Sequence, residues 1–348
     1  LFIQLGKKIG MKTLKTIPLL LTALALAGTA SAQKTGLHVT NKFPIKSSGG
    51  WDYITVDAQG KRLFVSHGTQ VNILSTNGDS LGVINNTLGV HGIALVKSMG
   101  KGYTSDGKAN SCTVFDLKTY KPLGKVETGT NPDAIFYDEY SKKVYAFNGR
   151  SKDASVIDPA TDKVIATIPL GGKPEAGVSD GKGHVYVNSE TTNEVVVIND
   201  NTFKVEKRYK LDGEEPSGLA MDVATNRLFS GCSGSGDLII LDAATGKNLA
   251  KFKTGDCDGV GFDSALKLVY SSNNEGTLSV IKELSADKFV KVEDVPTEPS
   301  ARTIAVDELT HKIYLPAAKT EPVAATATEP KPRPKQVPGS FHVIEVAK

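Results

Sequence analysis

Residues 131–172 read NPDAIFYDEYSKKVYAFNGRSKDASVIDPATDKVIATIPLGG. Four short β-branched and aromatic runs, at residues 133–137, 143–147, 154–157 and 164–168, are separated by turn residues, which predicts four successive antiparallel strands, A to D. The turn that opens on Asp158 recurs near Asp116, Asn199 and Asp242, where short polar side chains shape hairpins. The aromatic of strand B, Tyr145, has counterparts on both sides: Phe64, Tyr103, Tyr186, Phe229, Tyr270 and Tyr314, at intervals of 39, 42, 41, 43, 41 and 44 residues. Seven copies of a four-strand unit at this period predict an all-β, seven-bladed β-propeller. Blades are expected to start near residues 51, 90, 131, 173, 215, 257 and 300.

The ends of the repeat region predict how the ring closes. The last unit has a strand C but no strand D, whereas residues 37–45 precede the first strand A and have the strand D pattern. The N-terminal strand is therefore expected to complete the last blade, removing the open edge of a linear array.

Units such as KKVYAFN followed by ASVIDPATDKVIATIPLGG resemble the YVTN repeat, and the chain from residue 33 on resembles the seven-bladed YVTN-repeat propellers, in particular the exported YncE-like group. The resemblance implies the fold. For function it implies only a range: the group carries a DNA-binding label, and its relatives by fold include lactonases and lyases.

Ahead of the repeats, Lys12 and Lys15 precede an apolar run from Ile17 to Ala27, and Ala30, Ser31 and Ala32 have the spacing of a signal-peptidase site. Residues 1–32 are expected to be an upstream extension and a signal peptide cleaved after Ala32, leaving residues 33–348 as one propeller that is periplasmic or secreted. The run is too short for a membrane span. Without residues 1–32 the chain has 37 basic and 38 acidic side chains, so the formal charge falls from +3 to −1. Such a surface lacks the bulk positive field of non-specific nucleic-acid binders.

Comparing the repeats with one another separates scaffold from site. Six units place an aspartate in the A–B turn (Asp57, Asp138, Asp180, Asp222, Asp263 and Asp307), which reads as turn stabilisation. In contrast, the first residue of strand A varies: Asp52, His91, Asp133, Glu175, Ser217, Asp258 and Arg302. Strand A is innermost, so these seven are expected to ring one mouth of the central channel. Four carboxylates against one arginine suit a cation, an amine or a polyol better than a phosphate. Ordinary ion pairs ordering a channel mouth are the alternative reading.

Three residues past each aromatic stand His67, Asp106, Asn148, Ser189, Cys232, Asn273 and Ala317, expected as a second polar tier near the ring. His67 and His91 with Asp52, Asp106 or Asp133 compose a possible nitrogen and oxygen site for a divalent metal ion, although no HxH or HExxH spacing supports one. Trp51 is expected at the rim, either stacking on a ligand or packing between blades. Arg150 lies in a loop of the same face, where it meets an anionic group or only solvent. The proline-rich insert at residues 316–339 exceeds ordinary connections and reads as a lid, a docking segment or a disordered excursion.

Three cysteines in an exported chain leave a Cys232–Cys257 disulfide open and one thiol over. The sequence therefore points to a monomeric propeller binding a small polar molecule or a protein partner at one channel face. A metal-assisted lactonase or lyase at the same mouth, and a single-stranded nucleic-acid binder using Trp51 and loop basics, are the alternatives.

Overall fold

Blade 3 shows why the repeat folds as it does. In the computed structural model its strands are Pro132–Asp138, Lys143–Asn148, Asp153–Asp158 and Lys163–Pro169, paired in that order. Val144, Tyr145, Ala146 and Phe147 of strand B are all fully buried, because an inner strand is covered on both faces by neighbouring blades. Strand D, at the outer edge, instead alternates exposed residues with half-buried ones and the buried Ile168.

The structure describes residues 1–6, 34–324, 332 and 334–348. The leader's apolar run and its Ala30–Ala32 cleavage signal lie outside the described residues, as do residues 325–331 and 333 of the insert. Residues 1–6 contain no regular element. No helix among the described residues is long and apolar enough to cross a membrane.

Seven four-stranded antiparallel sheets follow one another, and their inner strands are Trp51–Asp57, Val90–Val96, Pro132–Asp138, Pro174–Ser179, Pro216–Asp222, Cys257–Asp263 and Ala305–Asp307. Each inner strand touches the next, and the seventh touches the first, so the sheets form a ring. In the seventh sheet the order from the centre is Ala305–Asp307, Lys312–Ala317, His342–Ala347 and then the N-terminal His38–Pro44, with Phe43 opposite Val343.

The recurrent aspartates close their own turns. Asp57 accepts the Gly60 N–H at 3.1 Å, Asp138 the Ser141 N–H at 2.6 Å and Asp263 the Leu266 N–H at 2.9 Å, and Asp180, Asp222 and Asp307 act alike. The recurrent aromatics join neighbouring blades. The Tyr103 hydroxyl donates to Asp162 in the C–D turn of blade 3, that of Tyr145 donates to Asp200 of blade 4 at 2.5 Å, and that of Tyr186 donates to the Ala243 carbonyl of blade 5 at 3.3 Å.

Asp200 is 3% exposed, its second oxygen has no hydrogen-bond partner, and burial pushes its carboxyl up to about 7. A carboxyl raised in the folded state contributes stability below its unfolded value of 3.8, and this contribution is lost as pH rises through 7. Urea unfolding at pH 5, 6.5 and 8 should show wild type losing ~1–3 kcal/mol more than Asp200→Asn over that range. Parallel stability curves for the two proteins would reject this role for Asp200.

Candidate functional site

Strand A enters the channel through a bulge. In five blades the register with strand B shifts across two unopposed residues, for example between Trp51 and Ile54, Val90 and Ile93, and Pro132 and Ile135; in blade 6 it shifts between Cys257 and Gly259. The polar residue occupies the first bulged position, where the extra residue turns a side chain out of the ladder. Strand B side chains hold the bulges. Ser66 accepts the Asp52 N–H at 3.1 Å and donates to the Tyr53 carbonyl at 2.9 Å, Ser105 accepts the Gly92 N–H at 2.8 Å, and Asn188 donates to the Ser217 and Gly218 carbonyls at 3.1 and 2.9 Å.

Six of the seven side chains form one chain of contacts. Ser217 donates to Asp258 at 2.5 Å; Arg302 pairs with Asp258 on one side and with Asp52 at 3.4 Å on the other; Asp52 bonds His91 Nδ1 at 2.6 Å; and the same nitrogen lies 3.5 Å from Asp133. The seventh, Glu175, pairs with Lys173 at 2.6 Å, and Lys173 also reaches Glu190. Asp133, Glu175 and Ser217 are buried, and Asp52, His91, Asp258 and Arg302 are half-buried.

Burial sets the electrostatics, and partners then divide the carboxylates. Burial raises Asp52, but the His91 hydrogen bond and the Arg302 charge outweigh it and hold the carboxyl below its usual value. Burial and the neighbouring Asp52 charge push Asp133 up to about 6. Glu175 is raised well above its usual value by burial and by Asp133. His91 is raised despite burial, because Asp52 and Asp133 both favour its charged form.

Below the ring lies a cavity of about 180 Å³ lined by Tyr53, Phe136, Gly177, Gly218, Gly259 and Ile304 among others. A second cavity, of about 780 Å³, opens beside the ring between blades 6, 7 and 1, where Trp51, Asp256, Asp258 and Arg302 face Thr320 and Gln336. The last two belong to a small hairpin in the insert, Thr320–Glu321 paired with Lys335–Gln336, so the insert walls this part of the site.

The expected second tier does not reach the mouth. His67, Asp106 and Asn148 are completely buried. His67 stacks on Phe341 at 4.0 Å and meets Ser47 at 2.5 Å, Asp106 accepts from Thr104 and Thr113 at 2.7 and 2.5 Å, and Asn148 donates to Asp153 and Ser155 at 2.6 and 2.9 Å. The cause is register. These residues end strand B opposite the residue that precedes the bulge, so they stay in the sheet while the bulge turns its neighbour outward. His67 is therefore absent from the metal candidates, whereas Asp52, His91 and Asp133 converge with ligand atoms within 4.8 Å of one another.

Trp51 is half-buried and packs at 5.6 Å on Phe341, next to the ring. Arg150 is exposed. Cys112, Cys232 and Cys257 are buried free thiols, the last two pushed up to about 12 by burial. Sequence comparison missed Tyr53, Lys173 and Glu190. Tyr53 and Lys173 stand one and two residues from ring positions but follow no repeat pattern.

No family model matches the chain. It is 27% identical over 207 residues to the uncharacterized protein YncE of Salmonella typhimurium, covering 57% of this chain and 58% of that protein. The YncE of Salmonella typhi is 26% identical over the same length. The match thus spans less than two thirds of these relatives. Among solved structures, the hydrazine synthase of Kuenenia stuttgartiensis superposes with a TM-score of 0.66 at 15% identity, covering 81% of this chain and 95% of that one. U3-55K superposes with a TM-score of 0.72 at 11% identity, covering 87% and 97%. Likeness at such identity speaks for the fold alone. The ring of seven sheets and the shared stretch of sequence together make this chain a seven-bladed β-propeller that resembles the YncE proteins.

Proposed function

We propose that this chain is an exported binding protein whose recognition site is the channel mouth at the start of the A strands, and that it takes a small polar ligand carrying positive charge or several hydroxyls. The observation that carries this reading is the linked ring itself. Six bulges, and in blade 7 the segment that leads into the strand Ala305–Asp307, bring unlike polar side chains to one mouth, and the carboxylates among them exceed the cations by three with His91 neutral. A scaffold needs no such difference between repeats, since the turn aspartates already serve six blades and a strand B aromatic serves each. Concave sites with a few convergent polar groups and perturbed carboxyls are where ligands bind.

An amine gains from the excess negative charge, and a polyol uses the carboxylates as paired acceptors. The second cavity, with Trp51 and the insert hairpin as walls, extends the site far enough for a loop of a protein partner, which is the second reading. An acidic mouth repels phosphates, which disfavours nucleic acid. Export rests on the leader's charged, apolar and small-residue regions.

The test uses protein recovered from the extracytoplasmic fraction, whose intact mass should begin at Gln33. Calorimetric titration with putrescine, spermidine and sorbitol should find at least one binder, and Glu175→Gln with Asp258→Asn should weaken it by about tenfold or more, the equivalent of ~1.4 kcal/mol. Retention of the leader would sink the export claim, and equal binding by the double variant would move the site elsewhere.

A further inference from the structure

We infer that the mouth holds one divalent first-row metal ion, ligated by a carboxylate oxygen of Asp52, Nδ1 of His91 and a carboxylate oxygen of Asp133, with its remaining coordination positions open to the channel. The inference deepens the reading of the mouth as a binding site and rests on it for the role of those open positions.

Three independent features support it. The donor atoms come from three successive inner strands and lie within 4.8 Å of one another. Donors around a tetrahedral ion at about 2.0–2.1 Å stand roughly 3.3–3.4 Å apart, so the 3.5 Å separation of His91 and Asp133 already fits, whereas the 2.6 Å Asp52–His91 contact has to open. Next, Asp133 is 9% exposed and its carboxylate accepts no hydrogen bond from the described residues at bonding distance. Its nearest cationic partner, His91 Nδ1 at 3.5 Å, is already hydrogen-bonded to Asp52, so a cation placed between the two carboxylates gives Asp133 a closer partner than it has. Finally, the residue after each ligand, Tyr53, Gly92 and Ala134 in turn, lines the channel cavity, so the cluster borders a space that a further ligand can enter.

The donor set narrows the ion. One imidazole and two carboxylates suit zinc, manganese or ferrous iron, and the absence of thiolates among them disfavours cuprous copper. Three protein ligands with open positions are the arrangement of sites that bind or polarise a substrate, whereas structural sites are closed. Coordination uses the Nδ1 lone pair, so the Nδ1 proton shared with Asp52 must leave that atom: a neutral ring carries its one proton on Nε2 instead, and a charged ring keeps the Nε2 proton and releases the other to solvent. The bulges bring all three side chains to the mouth in the ion's absence.

The competing account is that a protonated His91 is itself the cation between Asp52 and Asp133. Calorimetry with zinc chloride, and electron paramagnetic resonance with manganese chloride, on the untagged chelator-stripped chain decide between them. The expected result is one ion per chain with micromolar or tighter affinity. Asp133→Asn, which keeps the shape of the side chain, and His91→Gln should each weaken it at least ~10-fold. His184→Gln, at the histidine paired with Asp180 on the A–B turn side of blade 4, should leave it unchanged. No binding, or binding that survives Asp133→Asn and His91→Gln with unchanged circular dichroism, overturns the inference. Repeating the putrescine and sorbitol titrations on stripped and manganese-loaded protein separates the two readings. Ligand without metal removes only the ion, and metal without any ligand removes only the small-molecule reading.

Discussion

Deleting residues 34–45 is expected to abolish cooperative folding, the largest single effect that the structure implies. His38–Pro44 is the outer strand of the seventh sheet, with Phe43 opposite Val343 and Lys42 opposite Ile344. Phe43 and Ile45 are buried in the core between blades 7 and 1, and Leu37 in that between blades 6 and 7. Thr40 and Asn41 also donate to Glu345 at 2.7 and 2.8 Å. Burying three such side chains contributes roughly 5–9 kcal/mol, against a total stability of about 5–15 kcal/mol for a domain. The deletion also bares the edge of His342–Ala347, a template for pairing with other chains. The truncated chain should be recovered mainly as aggregate, and adding the peptide of residues 34–45 during refolding should restore soluble protein. A truncated chain with the wild-type urea midpoint would show that the seventh sheet does without its fourth strand.

Gly218→Val should be the most damaging single substitution near the site. A Cβ at Gly218 would stand 2.5 Å from the Val260 nitrogen and 2.8 Å from the Gly259 carbonyl carbon. These are backbone atoms of the next inner strand, and in a closed ring that strand yields only if its neighbours yield too. Overpacking of this kind costs about 1–3 kcal/mol and sometimes more. The displacement also pulls Ser217 from Asp258, so the variant should lose ligand affinity together with stability. Gly124, in the outer strand Pro122–Glu127, is the control: nothing lies within 4 Å of its Cβ position. Gly124→Val should be neutral or slightly stabilising, since a β-branched residue suits an open strand position. Urea unfolding of both variants checks the contrast, and equal midpoints would mean that the inner strands separate freely.

Much of the fold was legible because a propeller repeats its own evidence. The A–B turn aspartates and strand B aromatics recur at a period of 39–44 residues; the aspartates each close their own turn, as Asp57 does on Gly60, and the aromatics are packed in the core, with Tyr145 also reaching Asp200 of the next blade. The ring positions were legible for the opposite reason, as one register position at which the residue type changes. The second tier was misread because spacing gives distance along a strand but not the side on which a side chain emerges. His67 and Asp52 are close in the sheet, yet a bulge separates them into core and mouth.

The sequence by itself determined the number of blades and the repeat position at which the residue type changes, since alternation and period are properties of the chain; the inner strands start one residue earlier than expected in six blades and three later in the seventh, after Arg302. Only the tertiary structure decided which of those residues meet. Asp52, His91 and Asp133 are 39 and 42 residues apart and become neighbours because the ring curls three blades about one axis. The pairing of Arg302 with Asp52 spans 250 residues. Such contacts depend on ring closure and on bulge geometry, which arise from the packing of whole blades and leave no mark in the local pattern.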